Sequence, residues 1–140
     1  FDSHLDAGLA RAGRKAADLS IAASVMVAAG DDLDACRDRL RPFFALYIGG
    51  MGARGRNFYF DLVARYGFEE AATAIQDLYL DDRKDEAAAK VPDQLIDEMA
   101  LVGDVPRIVD RLEAWKSSRV DTLILGTNQP EVLEALRASL

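Results

Sequence analysis

The chain reads as an α/β fold in which parallel strands are covered by helices on both faces. Three observations carry that reading. From Leu19 to Ala28 the residues Leu19, Ile21, Ala22, Ala23, Val25, Met26 and Val27 form an apolar run interrupted only by serines, too continuous for a strand with one wet face and suited to one buried on both. Val120 to Leu125 is a second run, brief, β-rich and bounded by turn residues. Between them lie about ninety residues of mostly helical pattern, where a parallel crossover needs only a dozen or so.

Each element has its own signal. Ser3 to Ala12 is a short helix, with Leu5 and Leu9 on one face and Gly13 able to end it in the left-handed region. After the first strand, Asp31 offers an N-cap, and Leu33, Cys36, Leu40, Phe43, Phe44 and Tyr47 recur at helical spacing along one long helix that Pro42 can kink. Gly49-Gly50-Met51-Gly52-Ala53-Arg54-Gly55-Arg56 reads as a loop. Asn57 caps a further helix with Phe58, Leu62 and Val63 on its inner side, and Gly67 stops it. Helix resumes from Phe68 to Lys90 with a break at Asp81 and Asp82, and Pro92 opens a short turn carrying Leu95, Ile96 and Met99. Beyond Leu101-Val102-Gly103, Asp104 caps a helix with Pro106 in its first turn and Val105, Ile108, Val109, Leu112 and Trp115 at helical intervals. The second strand follows, then Gly126-Thr127-Asn128-Gln129 and a terminal helix from Pro130.

Two parallel strands expose main-chain edges and apolar faces, so a third strand or extensive cover is expected to complete the sheet. The rival is a mostly helical domain with both runs as buried helices, since periodicity alone does not always separate the two. Composition narrows the function. A net charge of −7 with both signs interspersed opposes nucleic acid or an anionic membrane as partner. No apolar stretch is long enough for a membrane span, and nothing near Phe1 has the form of a secretion signal. The expectation is a truncated or processed piece of a cytoplasmic protein. The single cysteine, Cys36, excludes an internal disulfide and a multi-cysteine metal site and reads as a core residue. No metal site is expected.

The run Val91-Pro92-Asp93-Gln94-Leu95-Ile96-Asp97-Glu98-Met99-Ala100-Leu101-Val102-Gly103, with the helix to Trp115 and the strand after it, resembles the end of luciferase-like oxidoreductases. Tyr47-Ile48-Gly49-Gly50-Met51-Gly52 with Asn57-Phe58-Tyr59 resembles the actinobacterial deazaflavin-dependent branch. The resemblance covers nearly all of the chain. It implies that residues 1–140 are the C-terminal portion of one (β/α)8 TIM barrel, with strands 7 and 8 at Leu19 to Ala28 and Val120 to Leu125, a mostly helical insertion between them, and Phe1 just after strand 6. It also implies that the missing N-terminal part of the barrel is a partner of this chain and supplies most of the cofactor pocket, and that the isolated piece is inactive and prone to associate. The cofactor would be a deazaflavin, coenzyme F420, with FMN and monooxygenase chemistry as the alternative. The parent would transfer hydride between cofactor and an organic small molecule, and would dimerise. A non-catalytic helical interaction module is the remaining rival. Arg119 stands where relatives have glycine, which calls for another turn geometry or strain.

In such a barrel the reacting groups lie at the C-terminal ends of strands, placing Ala28, Ala29, Gly30, Gly126, Thr127 and Asn128 toward the site. Thr127 and Asn128 can hydrogen-bond a phosphate or substrate, or serve as plain turn residues before Pro130. Gly49 and Gly50 with Arg54 and Arg56 offer amides and guanidinium groups to phosphate or to carboxylates of a polyglutamate tail, or form a flexible connection. Lys84 is a fainter anion candidate. The catalytic residue is not identifiable: His4, the lone histidine, sits near the chain start, and adjacent acidic pairs such as Asp31-Asp32 and Glu69-Glu70 point apart on a helix and read as caps and solvated faces.

Overall fold

A computed structural model describes residues 2–139, with the side chains of residues 131 and 139 left aside; Phe1 lies outside the described residues. Three parallel strands, β1 (Ala22–Ala29), β2 (Ala100–Gly103) and β3 (Thr122–Gly126), form one sheet in the order β2-β1-β3. The two expected strands are therefore direct neighbours, Ala22 opposite Thr122 through Met26 opposite Gly126. The helical rival for these segments is excluded. Both strands begin later than expected. A tight turn at Ala16–Asp18, closed by the Lys15 amide donating to Asp18 Oδ2 at 2.8 Å, occupies the approach to β1.

The third strand is a correction. Leu101-Val102-Gly103, given no element from the sequence, belongs to β2, which pairs with the C-terminal half of β1, Met26 opposite Ala100 through Ala29 opposite Gly103. Sequential staves of a barrel would stand in chain order, β1-β2-β3; β2 instead comes from within the crossover and covers the other edge of β1. Part of the sheet is thus completed by the chain itself. No strand pairs the outer edge of β3 among the described residues.

Alternation along the strands divides the core. Val25, Val27, Ala29 and Leu101 meet Ile108 and Leu112 of α7 (Val105–Lys116) and Val132 and Leu136 of α8 (Pro130–Ser139). On the opposite face Ala28, Ala100 and Val102 meet the helical insertion. That insertion comprises α2 (Leu33–Ala45), α3 (Phe58–Val63), α4 (Glu69–Leu80), α5 (Lys84–Ala89) and α6 (Asp93–Met99). The first helix, α1 (Asp2–Ala12), buries no side chain and ends at Gly13 with φ +63°.

Caps set the helix starts. Asp32, not Asp31, caps α2 by accepting from the Ala35 amide at 3.0 Å, and Asp104 caps α7 through Arg107 N at 2.9 Å. Arg119 causes no strain: Ser118 Oγ donates to Trp115 O and accepts from Val120 N, so the exit of α7 needs no left-handed residue. Arg119 pairs instead with Asp6 at 2.8 Å, tying α1 to the sheet.

The β2 flank is held by charge as well as by packing. Asp97 of α6 accepts from Arg37 of α2 at 2.7 Å and from Arg107 of α7 at 3.1 Å, while Arg107 Nε donates to Val102 O. The Arg37 hydrogen bond holds the Asp97 carboxyl below its ordinary range against the opposing effect of burial, and the same bond raises Arg37. Gly103 bends the chain from β2 into α7 at φ +109°, where a Cβ would fall 2.6 Å from Arg107 Cδ. A left-handed conformation at this spacing requires glycine.

Candidate functional site

Two adjoining cavities flank β1 and β3, one over the middle of β1 and one at the C-terminal ends of both strands. One, of about 420 Å³, is walled by Met26 and Ile124 of the sheet, Phe43, Tyr47 and Tyr59 of the insertion, and Met99 of α6. The other, of about 400 Å³, is bounded by Ala28, Arg39, Gly126, Thr127 and Asn128. Met26 and Gly126 belong to both walls. A Cβ on Gly126 would come within 2.8 Å of Met26 Sδ, so glycine there leaves that side chain its room.

The aromatic wall is organised around Asn57. After α2 the helix, which contains Pro42, widens into a π-helical turn at Leu46–Gly50. A wide turn leaves carbonyls without helical donors. Asn57, 2% exposed, donates through Nδ2 to Ile48 O at 2.8 Å and Tyr47 O at 3.2 Å. Its Oδ1 accepts from the amides of Tyr59 and Phe60, capping α3. One buried amide therefore locks the turn bearing Tyr47 to the helix bearing Tyr59, whose rings meet edge to face at 4.7 Å. Phe43 stacks on Tyr47 at 4.5 Å. Sequence reasoning identifies Asn57 as a cap; the carbonyls it serves on the other side come from tertiary structure.

At the strand ends, Gln129 completes the β1 ladder where β3 has stopped. Its Oε1 accepts from Ala29 N and its Nε2 donates to Ala29 O, both at 2.9 Å. Arg39 donates to the same carbonyl at 2.6 Å and to Cys36 Sγ at 3.0 Å. Neither Gln129 nor Arg39 is singled out by a sequence motif. The turn before Pro130 hints at Gln129, but only the fold places it beside Ala29.

The residues expected from sequence are not brought together. Thr127 and Asn128 line the polar cavity, with Thr127 Oγ1 also accepting from Gln129 N as a turn residue does. Gly49 and Gly50 do not lie in a loop; they end the π-helical turn, and a Cβ on either would fall 2.5 or 2.4 Å from Tyr79 of α4. These two glycines permit close helix packing. Arg54 is paired with Asp77 at 2.8 Å, and neither Arg54 nor Arg56 lines either cavity. Lys84 pairs with Asp82 at 3.0 Å and lies over the Tyr79 ring, which together raise its pKa. His4 stands on α1 beside Ser3, and Cys36 is fully buried. Among the described residues no group of three or more metal-ligating side chains occurs and no helix is long and apolar enough to cross a membrane.

Residues 3–122 match the model of the family described as luciferase-like monooxygenase. The chain belongs to that family. Within the luciferase-like relatives, a Mycobacterium tuberculosis protein that carries the name coenzyme F420-dependent oxidoreductase is 34% identical over 140 residues, covering 99% of this chain and 40% of the relative. The coenzyme F420-dependent tetrahydromethanopterin reductase of Methanopyrus kandleri superposes with a TM-score of 0.72 at 19% identity, over 95% of this chain and 38% of that one. The second likeness establishes fold. This luciferase-like chain spans about two fifths of the length of the relatives it matches.

Proposed function

We propose that this chain is the C-terminal part of a single luciferase-like (β/α)8-barrel oxidoreductase, and that the whole protein uses a deazaflavin, coenzyme F420, to exchange hydride with an organic substrate. The observation that carries the reading is a cavity at the C-terminal ends of adjacent parallel strands, adjoined by an apolar one, in the place where barrel enzymes put their sites. The mycobacterial relative supports deazaflavin as the cofactor. The uncovered side of β3 supports further strands from outside these residues.

The residues present fit one wall of such a pocket. Tyr47, Tyr59, Met26 and Ile124 give a planar organic ring an apolar, polarizable surface. A cradle of several cations for a phosphate and polyglutamate tail is not gathered here: Arg54 is neutralised by Asp77, and Gly49 and Gly50 are committed to packing. The tail would be held elsewhere in the protein, with Thr127 and Asn128 as hydrogen-bonding groups on this wall. The cofactor supplies a two-electron hydride carrier. The chain's own part is to orient the substrate and keep water from the ring, through Phe43, Tyr47, Tyr59 and Met99.

The test is an absorbance titration of the whole protein with oxidised coenzyme F420 and, separately, with FMN. Saturable binding of the deazaflavin with no comparable binding of FMN is expected. The reverse order would replace this reading with flavin-dependent monooxygenase chemistry.

A further inference from the structure

We propose that Arg39 receives the carboxylate of a substrate whose apolar body lies in the adjoining aromatic cavity, so that the enzyme acts on apolar organic acids. The inference rests on the luciferase-like reading for the site's role in a reaction, and on geometry for the ligand class.

Arg39 is the one cationic side chain among the described residues that lines either cavity, and neither wall contains an aspartate or glutamate. Six other guanidinium groups of this acidic chain are met by carboxylates: Arg37 and Arg107 by Asp97, Arg41 by Asp38 and Asp93, Arg54 by Asp77, Arg83 by Glu86, Arg119 by Asp6. Arg39 has only neutral acceptors, the Ala29 carbonyl and the Cys36 sulfur, and both are reached through Nη2. Arg39 is exposed, no carboxylate meets it among the described residues, and its Nε and Nη1 hydrogens remain for a ligand. The two contacts already hold the side chain at the strand end, so little further ordering is required when an anion arrives.

The shape completes the argument. The polar cavity lined by Arg39, Thr127 and Asn128 shares Met26 and Gly126 with the apolar cavity of Phe43, Tyr47, Tyr59, Met99 and Ile124. A ligand spanning both would present a charged end to Arg39 and an aliphatic or aromatic body to the rings. A carboxylate matches the planar donors that Arg39 leaves free.

The experiment compares 4-phenylbutyrate with 4-phenylbutanol, which share a body and differ in the charged end, by calorimetric binding to the protein without cofactor. The acid is expected to bind roughly tenfold more tightly at low salt, as a charge-assisted pair outweighs a neutral one. Arg39→Gln should abolish that preference, Arg39→Lys should keep part of it, and Arg83→Gln, remote from both cavities, should leave it intact. Should Arg39→Gln not melt cooperatively, the salt dependence of the wild-type preference and the Arg39→Lys variant read the same charge. Equal binding of acid and alcohol by the wild type, or a preference that survives in folded Arg39→Gln, overturns the proposal. The same sample titrated with deazaflavin separates the two readings: an intact acid preference without deazaflavin binding defeats the cofactor assignment and leaves the Arg39 site standing.

Discussion

The two flanks of β1 differ in almost every physical respect. Toward β2, all four strand residues are buried, three helices converge, and Asp97 joins α2, α6 and α7 by ion pairs to Arg37 and Arg107. Toward β3, the inner face carries Ile124 at 54% exposure, two cavities open, and the one cation among the described residues that lines them, Arg39, has no carboxylate partner. The closed flank spends its polar groups on one another; the open flank leaves its aromatic rings and Arg39 available. Binding chemistry belongs where packing is incomplete, because a pocket is apolar surface that folding has not covered.

Substitution should expose that contrast. The largest effect is expected at Leu101, 2% exposed in β2: Leu101→Ala should cost about 3 kcal/mol, read from the urea midpoint at unchanged slope. If the β2 flank unfolded independently, that cost would shrink and the comparison would fail. Asp97→Asn comes next, at about 2 kcal/mol, because it leaves Arg37 and Arg107 partly buried without their common anion.

Acid should act on the same flank. The Asp97 pKa is lower folded than unfolded, so its contribution is complete above its ordinary value of 3.8 and is lost as pH falls through the lower folded value. Melting temperatures from pH 6 downward should therefore separate wild type from Asp97→Asn near neutrality and bring the two together only below about pH 4. A constant gap across that range would remove Asp97 from the account.

The smallest effect is expected on the open flank. Ile124→Thr should change the stability of this chain by no more than about 0.5 kcal/mol, as an exposed substitution does. In a longer protein whose further strands cover that face, the same change should cost about 2 kcal/mol, since the side chain would then be buried. Equal small effects in both would argue that the face stays wet and that no barrel closes over it.

Much of the fold is legible from local pattern. The helix caps Asn57 and Asp104, the break at Asp81 and Asp82, and the neighbouring strands β1 and β3 follow from side-chain chemistry within a few residues and from apolar runs. β2 escapes because four residues at a helix end are too few to show a period, and pairing with Met26–Ala29 is a relation between segments far apart in the chain. The candidate site is less legible for the same reason. Gly49 and Gly50 read as part of a loop, open to an anion or a plain connection, until Tyr79 is seen against them, while Arg39 looks like any helix-surface arginine until Ala29 and the cavity are beside it.

What the sequence determined alone was the set of elements, their covered faces and a family likeness, because periodicity, capping and turn chemistry act over a few residues. What only the tertiary structure decided was which strand edge is sealed, which glycines serve packing and which arginine lines a cavity. Those properties depend on partners brought together by the fold, and a partner's distance along the chain leaves no mark on the residues that wait for it.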